Sequence, residues 1–364
     1  MMKDNCVLNV QGLRVDRGGI NVLDIPEFSL YENEFVTLIG PNGCGKSTLL
    51  LSMMCLLKRV TGRIVFKGQE VDTDRQALDY RRKIAMVLQD PLLYDTTIYD
   101  NVASGLKIRG VGRSEIKTRV TRVMKHFNLS HMAHRHARKL SGGEARRVSL
   151  ARAFAVEPDM IFFDEPFANL DPPTRQALSA DMLKIIRETG ISSILVTHDQ
   201  SEALRLSDRI VVMNKGKIVQ TGTPVEVMNN PVNEFVGHFV GMETIMEGVV
   251  KQTLQGHMVV SVAGAEIEVT GEAPEGKEVY LGVRPENVVV DITRPMKAPE
   301  TRNVFPAKIT EISSLGPFLR VNLDCGFSLV AYLTREAFAS LKLEAGKEVF
   351  ASFKATAAHL IQKK

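Results

Sequence analysis

The run Gly40-Pro41-Asn42-Gly43-Cys44-Gly45-Lys46-Ser47-Thr48 fits the spacing GxxxxGK[ST], with an apolar stretch before it and a helix-forming stretch after it. Glycines at these positions let backbone N–H groups turn inward around a phosphate, and the following helix N-terminus adds its positive end. Lys46 then reaches the β- and γ-phosphates, and the Ser47 hydroxyl is placed to ligate Mg²⁺. A second constellation, Met160-Ile161-Phe162-Phe163-Asp164-Glu165, is an apolar strand ending in two acids. Asp164 suits a Mg²⁺-organising role, and Glu165 can polarise a water for in-line attack on a γ-phosphate. Behind a phosphate loop, that pair points to nucleotide hydrolysis.

Positioning such groups requires an α/β domain with a largely parallel sheet, whose carboxyl edge is where ligands bind. The pattern predicts strands at 35–40, 84–88, 160–164, 192–197 and 209–213, and a hairpin turn at 214–217 leading into 218–221. Helices are predicted at 46–57, 142–155, 173–188 and 200–205, with a basic helical insertion over about 90–140. After Gly241 the texture changes to short strands separated by Gly or Pro: 257–262, 266–269, 278–283, 287–291, 307–312, 318–324, 327–333 and 348–354. This spacing predicts a small all-β barrel or sandwich, with loops at 272–276 and 295–299, the second a candidate divider between two halves.

With these elements placed, the chain resembles the ATP-binding-cassette ATPases over residues 7–240. Leu140-Ser141-Gly142-Gly143-Glu144 is similar to the family's signature motif. The resemblance implies that Ser141, Gly142, Gly143 and Glu144 act in trans, on ATP held by the opposite subunit of a head-to-tail homodimer. Gln89 matches the glutamine loop that senses Mg²⁺ and the attacking water. Asp171, in Asn169-Leu170-Asp171, matches the loop crossing the dimer interface, and His198 matches the switch histidine at the γ-phosphate. The implied catalytic set is Glu165, His198 and Gln89, with Mg²⁺ on Ser47, Gln89 and Asp164. Both halves of the composite site are intact in one chain. One element departs: where the family has an aromatic residue for adenine, Arg14-Val15-Asp16-Arg17-Gly18 has none. Arg17 either stacks through its guanidinium plane or is a solvated loop charge.

Cys44 faces a helix N-terminus, which predicts a stabilised thiolate and inhibition by alkylating reagents. The other cysteines, Cys6, Cys55 and Cys325, form no CxxC pair and read as reduced thiols. His126, His131, His134 and His136 lie among Arg135, Arg138 and Lys139, and read as a solvated basic face rather than a metal site.

The tail decides the type of cassette. No membrane helices are fused to it, and a single cassette followed by a β domain resembles the ATPase subunits of bacterial solute importers. Residues 242–364 resemble their regulatory oligonucleotide-fold-type (TOBE) domain. Thr301-Arg302-Asn303 and Ser352-Phe353-Lys354-Ala355-Thr356-Ala357 resemble the Mop module of molybdate and tungstate proteins, which makes Thr301, Arg302 and Lys354 candidate oxyanion ligands. Glu300 departs from that module, which commonly has Ser there. The resemblance implies a P-loop ATPase (1–240) joined to a regulatory β domain (241–364), using ATP and Mg²⁺. It also implies a separate membrane permease, an extracytoplasmic solute-binding protein and a place on the cytoplasmic face of the plasma membrane. Tungstate or molybdate is the first cargo; sulfate, ferric iron, a sugar or a polyamine is the alternative.

Composition narrows the field further. The 364 residues suit two domains, and a formal charge of +4, from 46 basic and 42 acidic residues, does not by itself point to nucleic acid. Residues 242–364 carry 14 Lys and Arg against 15 Asp and Glu, without the aromatic-and-basic stripe that single strands need. An ATPase acting on nucleic acid is therefore the weaker reading. No apolar run approaches the ~20 residues that span a bilayer, and Asp4 and Asn5 interrupt any leader, so a cytoplasmic protein held at a membrane through a partner is expected.

Overall fold

Alternate residues of strand Met160–Asp164 enter two different cores, and that alternation organises the first half of the chain. Ile161 and Phe163 join a cluster with the helices, while Met160 and Phe162 join a second cluster on the opposite face. A strand with apolar residues on both faces is what a covered parallel sheet needs. Strands Ile84–Val87, Met160–Asp164, Ser192–Val196, Phe35–Ile39 and Arg209–Asn214 lie side by side in parallel, and Lys217–Gly222 closes the edge antiparallel. The structure is a computed structural model and describes residues 5–57, 61–254, 256–295 and 302–363.

The chain divides into two compact units, Met1–Pro224 and Val225–Lys364. The sequence placed this division at 240. In the structure residues 225–240 group with the β-rich unit, where Arg284 donates to the carbonyls of Val240 (2.8 Å) and Met228 (2.7 Å).

In the first unit the strands and helices lie close to their predicted spans. Helix Lys46–Met53 stops short of Leu57, because the backbone turns left-handed at Cys55, φ 54°. The 214–217 turn forms, with Lys215 and Gly216 both at positive φ. Its Gly216 N–H donates to the Cys44 carbonyl (2.9 Å) and its carbonyl accepts from Asp24 N–H (2.9 Å), bracing the phosphate loop. The basic insertion is helical at Ile98–Ile108 and Arg113–His126, ahead of helix Gly142–Ala155.

A four-stranded antiparallel sheet, Ile20–Tyr31, Cys6–Arg17, Thr61–Phe66 and Gln69–Glu70, was not foreseen. Its first two strands pair through Gly18 and Gly19, φ 57° and 79°, a tight two-residue turn that only glycine adopts freely. Leu8, Val10, Leu13 and Val15 pack from it onto the face of the parallel sheet that carries Met160 and Phe162.

The second unit is two antiparallel five-stranded sheets around one shared core, in which Val260, Ile267 and Leu281 of one sheet cluster with Ile309, Val321 and Ala351 of the other. One sheet runs Ala265–Thr270, His257–Val262, Thr244–Leu254, Glu278–Val283, Ala358–Gln362. The other runs Val289–Asp291, Glu348–Lys354, Arg302–Leu315, Phe318–Asp324, Ser328–Thr334. The chain changes sheets between Val283 and Val289, not at the expected 295–299 loop, of which 296–299 lie outside the described residues. Buried Asn303 stitches the sheets together, accepting from Glu268 N–H and donating to the Glu268 carbonyl, both at 2.8 Å.

Candidate functional site

Helix Lys46–Met53 begins without a side-chain cap: its N-cap is Gly45 and its first turn holds no acid. The helices beginning at Asp74, Ile98, Gly142, Pro172 and Gln200 are each capped by a Thr, Ser or Asp side chain. An uncapped N-terminus leaves backbone donors open to an anion. Gly45 itself is obligatory, because its φ is +107° and a Cβ there would stand 2.8 Å from Leu23 Cδ2. Lys46 is buried, and its Nζ donates to the carbonyls of Gly40 (2.8 Å) and Pro41 (3.0 Å).

Around this helix end lies a cavity of about 560 Å³, lined by Arg17, Val22, Asn42, Gly43, Gly45, Lys46, Ser47, Thr48, Gln89, Glu165 and His198. Ten of the residues singled out from sequence thus converge on one space. Ser47 Oγ donates to Asp164 Oδ1 at 3.1 Å, which places the Asp164 carboxylate beside the loop. Burial raises the Asp164 carboxyl above its usual value, Glu165 beside it adds to that, and the Ser47 hydrogen bond opposes it.

Glu165 sits at a strained left-handed position, φ 45°, held by its N–H to the Val196 carbonyl (2.9 Å). His198 Nδ1 lies 3.2 Å from Glu165 Oε2. The loop carrying His198 is braced by Thr197, whose hydroxyl donates to buried Glu202 (2.6 Å) and accepts from Asp199 N–H (3.0 Å). Arg175 joins this loop to the Asn169-Leu170-Asp171 segment, donating to Asp199 (2.9 Å) and to the Leu170 carbonyl (3.2 Å).

The remaining predicted residues lie elsewhere. Ser141, Gly142, Gly143 and Glu144 do not line the cavity. Ser141 caps its helix reciprocally, accepting from Glu144 N–H (3.3 Å) while its own N–H donates to Glu144 (2.7 Å). A Cβ placed on Gly142 would meet nothing within 4 Å. Asp171 is exposed and caps helix Pro172–Thr189 through Thr174 N–H, 3.0 Å. Gly40 and Cys44 shape the loop from behind rather than facing the cavity: a Cβ on Gly40 would meet Met213 O at 2.3 Å and Cys44 Sγ at 2.7 Å. In the second unit Lys354 is exposed, and its backbone is in register with that of Arg302 across two paired strands. Thr301, Glu300 and the Arg302 side chain lie outside what is described.

The expected Cys44 thiolate is corrected. The side chain is buried among Val36, Leu38 and Leu49, and burial pushes the thiol up, outweighing the opposing pull of Lys46. Sequence reasoning also missed Val22, which lines the cavity from the unforeseen sheet, and the bracing residues Arg175 and Glu202. The arrangement defines a P-loop ATPase.

Comparison with known proteins agrees. The ABC transporter family matches residues 23–168, and the TOBE domain matches residues 299–360. The chain is 38% identical over 353 residues to the molybdate/tungstate import ATP-binding protein WtpC of Pyrococcus abyssi, covering 96% of this chain and 99% of the relative. It is also 38% identical over 289 residues to the spermidine/putrescine import ATP-binding protein PotA of Borreliella afzelii, covering 78% and 81%. Among solved structures, cbiO1 of Clostridium perfringens, part of an ABC transporter complex, superposes with a TM-score of 0.59 at 28% identity, covering 66% of this chain and 96% of that one. A dimeric ATP-binding cassette in a post-hydrolysis state with ADP and Pi gives 0.54 at 28% identity, covering 60% and 98%. The chain belongs to the ABC transporter family, as an ATP-binding and ATP-hydrolysing subunit of the import type. No helix among the described residues is long and apolar enough to cross a membrane.

The position of Cys44 predicts how thiol reagents act on the native protein. Iodoacetamide labels exposed Cys6 first and leaves Cys44 unmodified until unfolding, so hydrolysis survives stoichiometric labelling. Mass mapping of the labelled peptides checks this; early labelling of Cys44 with loss of turnover would contradict it.

Proposed function

We propose that the chain energises import of tungstate or molybdate through a separate membrane permease, working as a homodimer on the cytoplasmic face. The observation supporting the hydrolytic roles is the convergence of Lys46, Ser47, Gln89, Glu165 and His198 on one cavity with an uncapped helix N-terminus at its base. The phosphates lie against that terminus and Lys46, while the adenosine end extends toward Arg17 and Val22. Glu165 accepts the proton of a water attacking the γ-phosphate in line, and the products are ADP and phosphate. His198, within hydrogen-bond distance of Glu165, holds that carboxylate toward the water and contacts the γ-phosphate.

Ser47 Oγ, the Asp164 carboxylate and the Gln89 side-chain oxygen form an all-oxygen donor set, which fits Mg²⁺. When bound, Mg²⁺ supplies charge neutralisation at the β- and γ-phosphate oxygens. Ser141 and the amides of Gly142 and Gly143 complete the partner copy's site, and Asp171 lies along the contact between copies. ATP closes the dimer, hydrolysis reopens it, and the helical segment over 90–140 passes the motion to the permease. A solute-binding protein outside the membrane delivers the cargo.

The cargo assignment rests on how far the likeness extends. Two WtpC relatives, from Pyrococcus abyssi and Pyrococcus horikoshii, match 96% and 97% of this chain, tail included. A polyamine is the second reading, supported by the PotA relative at the same 38% identity over 78% of the chain. In the tail, the pairing of Arg302 with Lys354 supports a regulatory oxyanion site, formed with Thr301.

Two measurements test these assignments. Glu165→Gln lowers ATP turnover by at least about 100-fold yet accumulates an ATP-bound dimer on size exclusion; unimpaired hydrolysis would remove Glu165 from its role. Calorimetric titration with tungstate and molybdate gives saturable heat, absent with sulfate and weakened at least about tenfold by Lys354→Ala. No heat would leave the tail without an oxyanion site.

A further inference from the structure

We infer that Arg146 is a positioning residue that locks the signature helix to the Gln89 loop and to the turn after Glu165, so that the three move as one piece. Arg146 lies on helix Gly142–Ala155, whose N-terminus carries Ser141, and only 5% of it is exposed. One guanidinium nitrogen donates to the carbonyls of Leu88 (3.1 Å) and Gln89, and the other donates to the carbonyl of Ala168 (3.3 Å). The neighbouring Arg147 is spent on an ordinary ion pair with Asp181, 2.6 Å away.

Three features separate Arg146 from a stabilising core contact. Among the described residues no carboxylate lies within ion-pair distance of it; the Asp90 charge acts on it from farther away, and its hydrogen bonds go to backbone carbonyls. Its Nε is buried without a hydrogen-bond partner, so part of its donor capacity is left unmet. And the carbonyls it grips belong to two separate loops that both border the reaction centre. Gln89 and Ala168 line a second cavity, of about 270 Å³, together with Glu165 and His198. Ala168 N–H in turn donates to the Glu165 carbonyl at 3.2 Å, closing the turn that follows the catalytic acid.

A planar fork can span these two loops at once, whereas a lysine ammonium is a point donor and an uncharged chain donates nothing. Arg146 therefore transmits position. Displacement of the helix end that serves the partner copy's ATP is carried to the Gln89 and Glu165 of its own site. This rests on the roles proposed above for Gln89 and Glu165.

The test is a double-mutant cycle in steady-state ATP hydrolysis, read as kcat and KM separately, with thermal unfolding to verify that each variant is folded. Arg146→Met lowers kcat by about 10- to 100-fold while KM for ATP stays within about twofold, and Arg146→Lys recovers part of the loss. On a Gln89→Ala background the same Arg146→Met change costs at least about threefold less than on the native background, the remaining loss being the part carried through Ala168 to the Glu165 turn. If Arg146→Met does not fold, Arg146→Gln and Arg146→Lys complete the cycle in its place. An equal loss in both backgrounds, or an unchanged kcat, overturns the inference. Full turnover by Gln89→Ala alone would instead overturn the role of Gln89, and the inference with it.

Discussion

Everything in the ATPase unit depends on parallel strand pairing with both faces covered. Phe35–Ile39 is flanked by Ser192–Val196 on one side and Arg209–Asn214 on the other, all running the same way. Backbone donors and acceptors along these strands are consumed by the ladder, and the side chains by two hydrophobic clusters. Polar chemistry can appear only where the strands end. Gly40, Asp164 and Thr197 stand at or next to the carboxyl ends of three of those strands, so the phosphate loop, the acid pair and the histidine loop meet there. Into that meeting point the fold puts a buried ammonium, Lys46, held by two carbonyls and paired with no acid among the described residues. Such a group is poised for an anion, and an uncapped helix end reinforces it by about 0.3–1 kcal/mol, up to ~2 when partly buried.

The loops around this point are stiffened by cross-links between one catalytic segment and the next. Glu165 is fixed through Val196, the histidine loop through Glu202 and Arg175, and the Gln89 loop through Arg146. A charge-assisted hydrogen bond is worth about 1.5–3 kcal/mol, enough to set a loop's position without freezing it. Ser141, by contrast, is braced only within its own helix end and by Glu144, which Arg135 holds at 3.0 Å.

How much of this was legible depended on the kind of signal. The phosphate loop, the Met160–Glu165 strand and the strand at 35–39 were readable because a double-sided apolar run is unmistakable and the glycine spacing has a steric reason. Cys6–Arg17 was not recognised, although its alternation is present, because Gly12 interrupts the period between Val10 and Leu13, where the register to Thr61–Phe66 also shifts. The Gly18-Gly19 turn was the missed clue. Cys44 was misjudged because its neighbours in sequence are polar donors while its neighbours in space are aliphatic, and burial decides a thiol's state. Arg146, Arg175 and Glu202 could not be found from spacing, since their partners are backbone carbonyls and side chains brought close only by folding. In the β-rich unit eight of the ten described strands were legible, but Thr244–Leu254 and Ala358–Gln362 were missed; both pair with Glu278–Val283, a long-range choice that local pattern does not encode.

The central claim is that Lys46 and the uncapped helix end hold the phosphates of ATP. The most direct measurement is calorimetric titration of ATP, with Mg²⁺ present, into the native protein and into Lys46→Ala, with thermal unfolding recorded for both. The account predicts saturable binding at one site per chain, weakened at least about tenfold by the substitution while the variant remains folded. Equal affinity in the two proteins would contradict it.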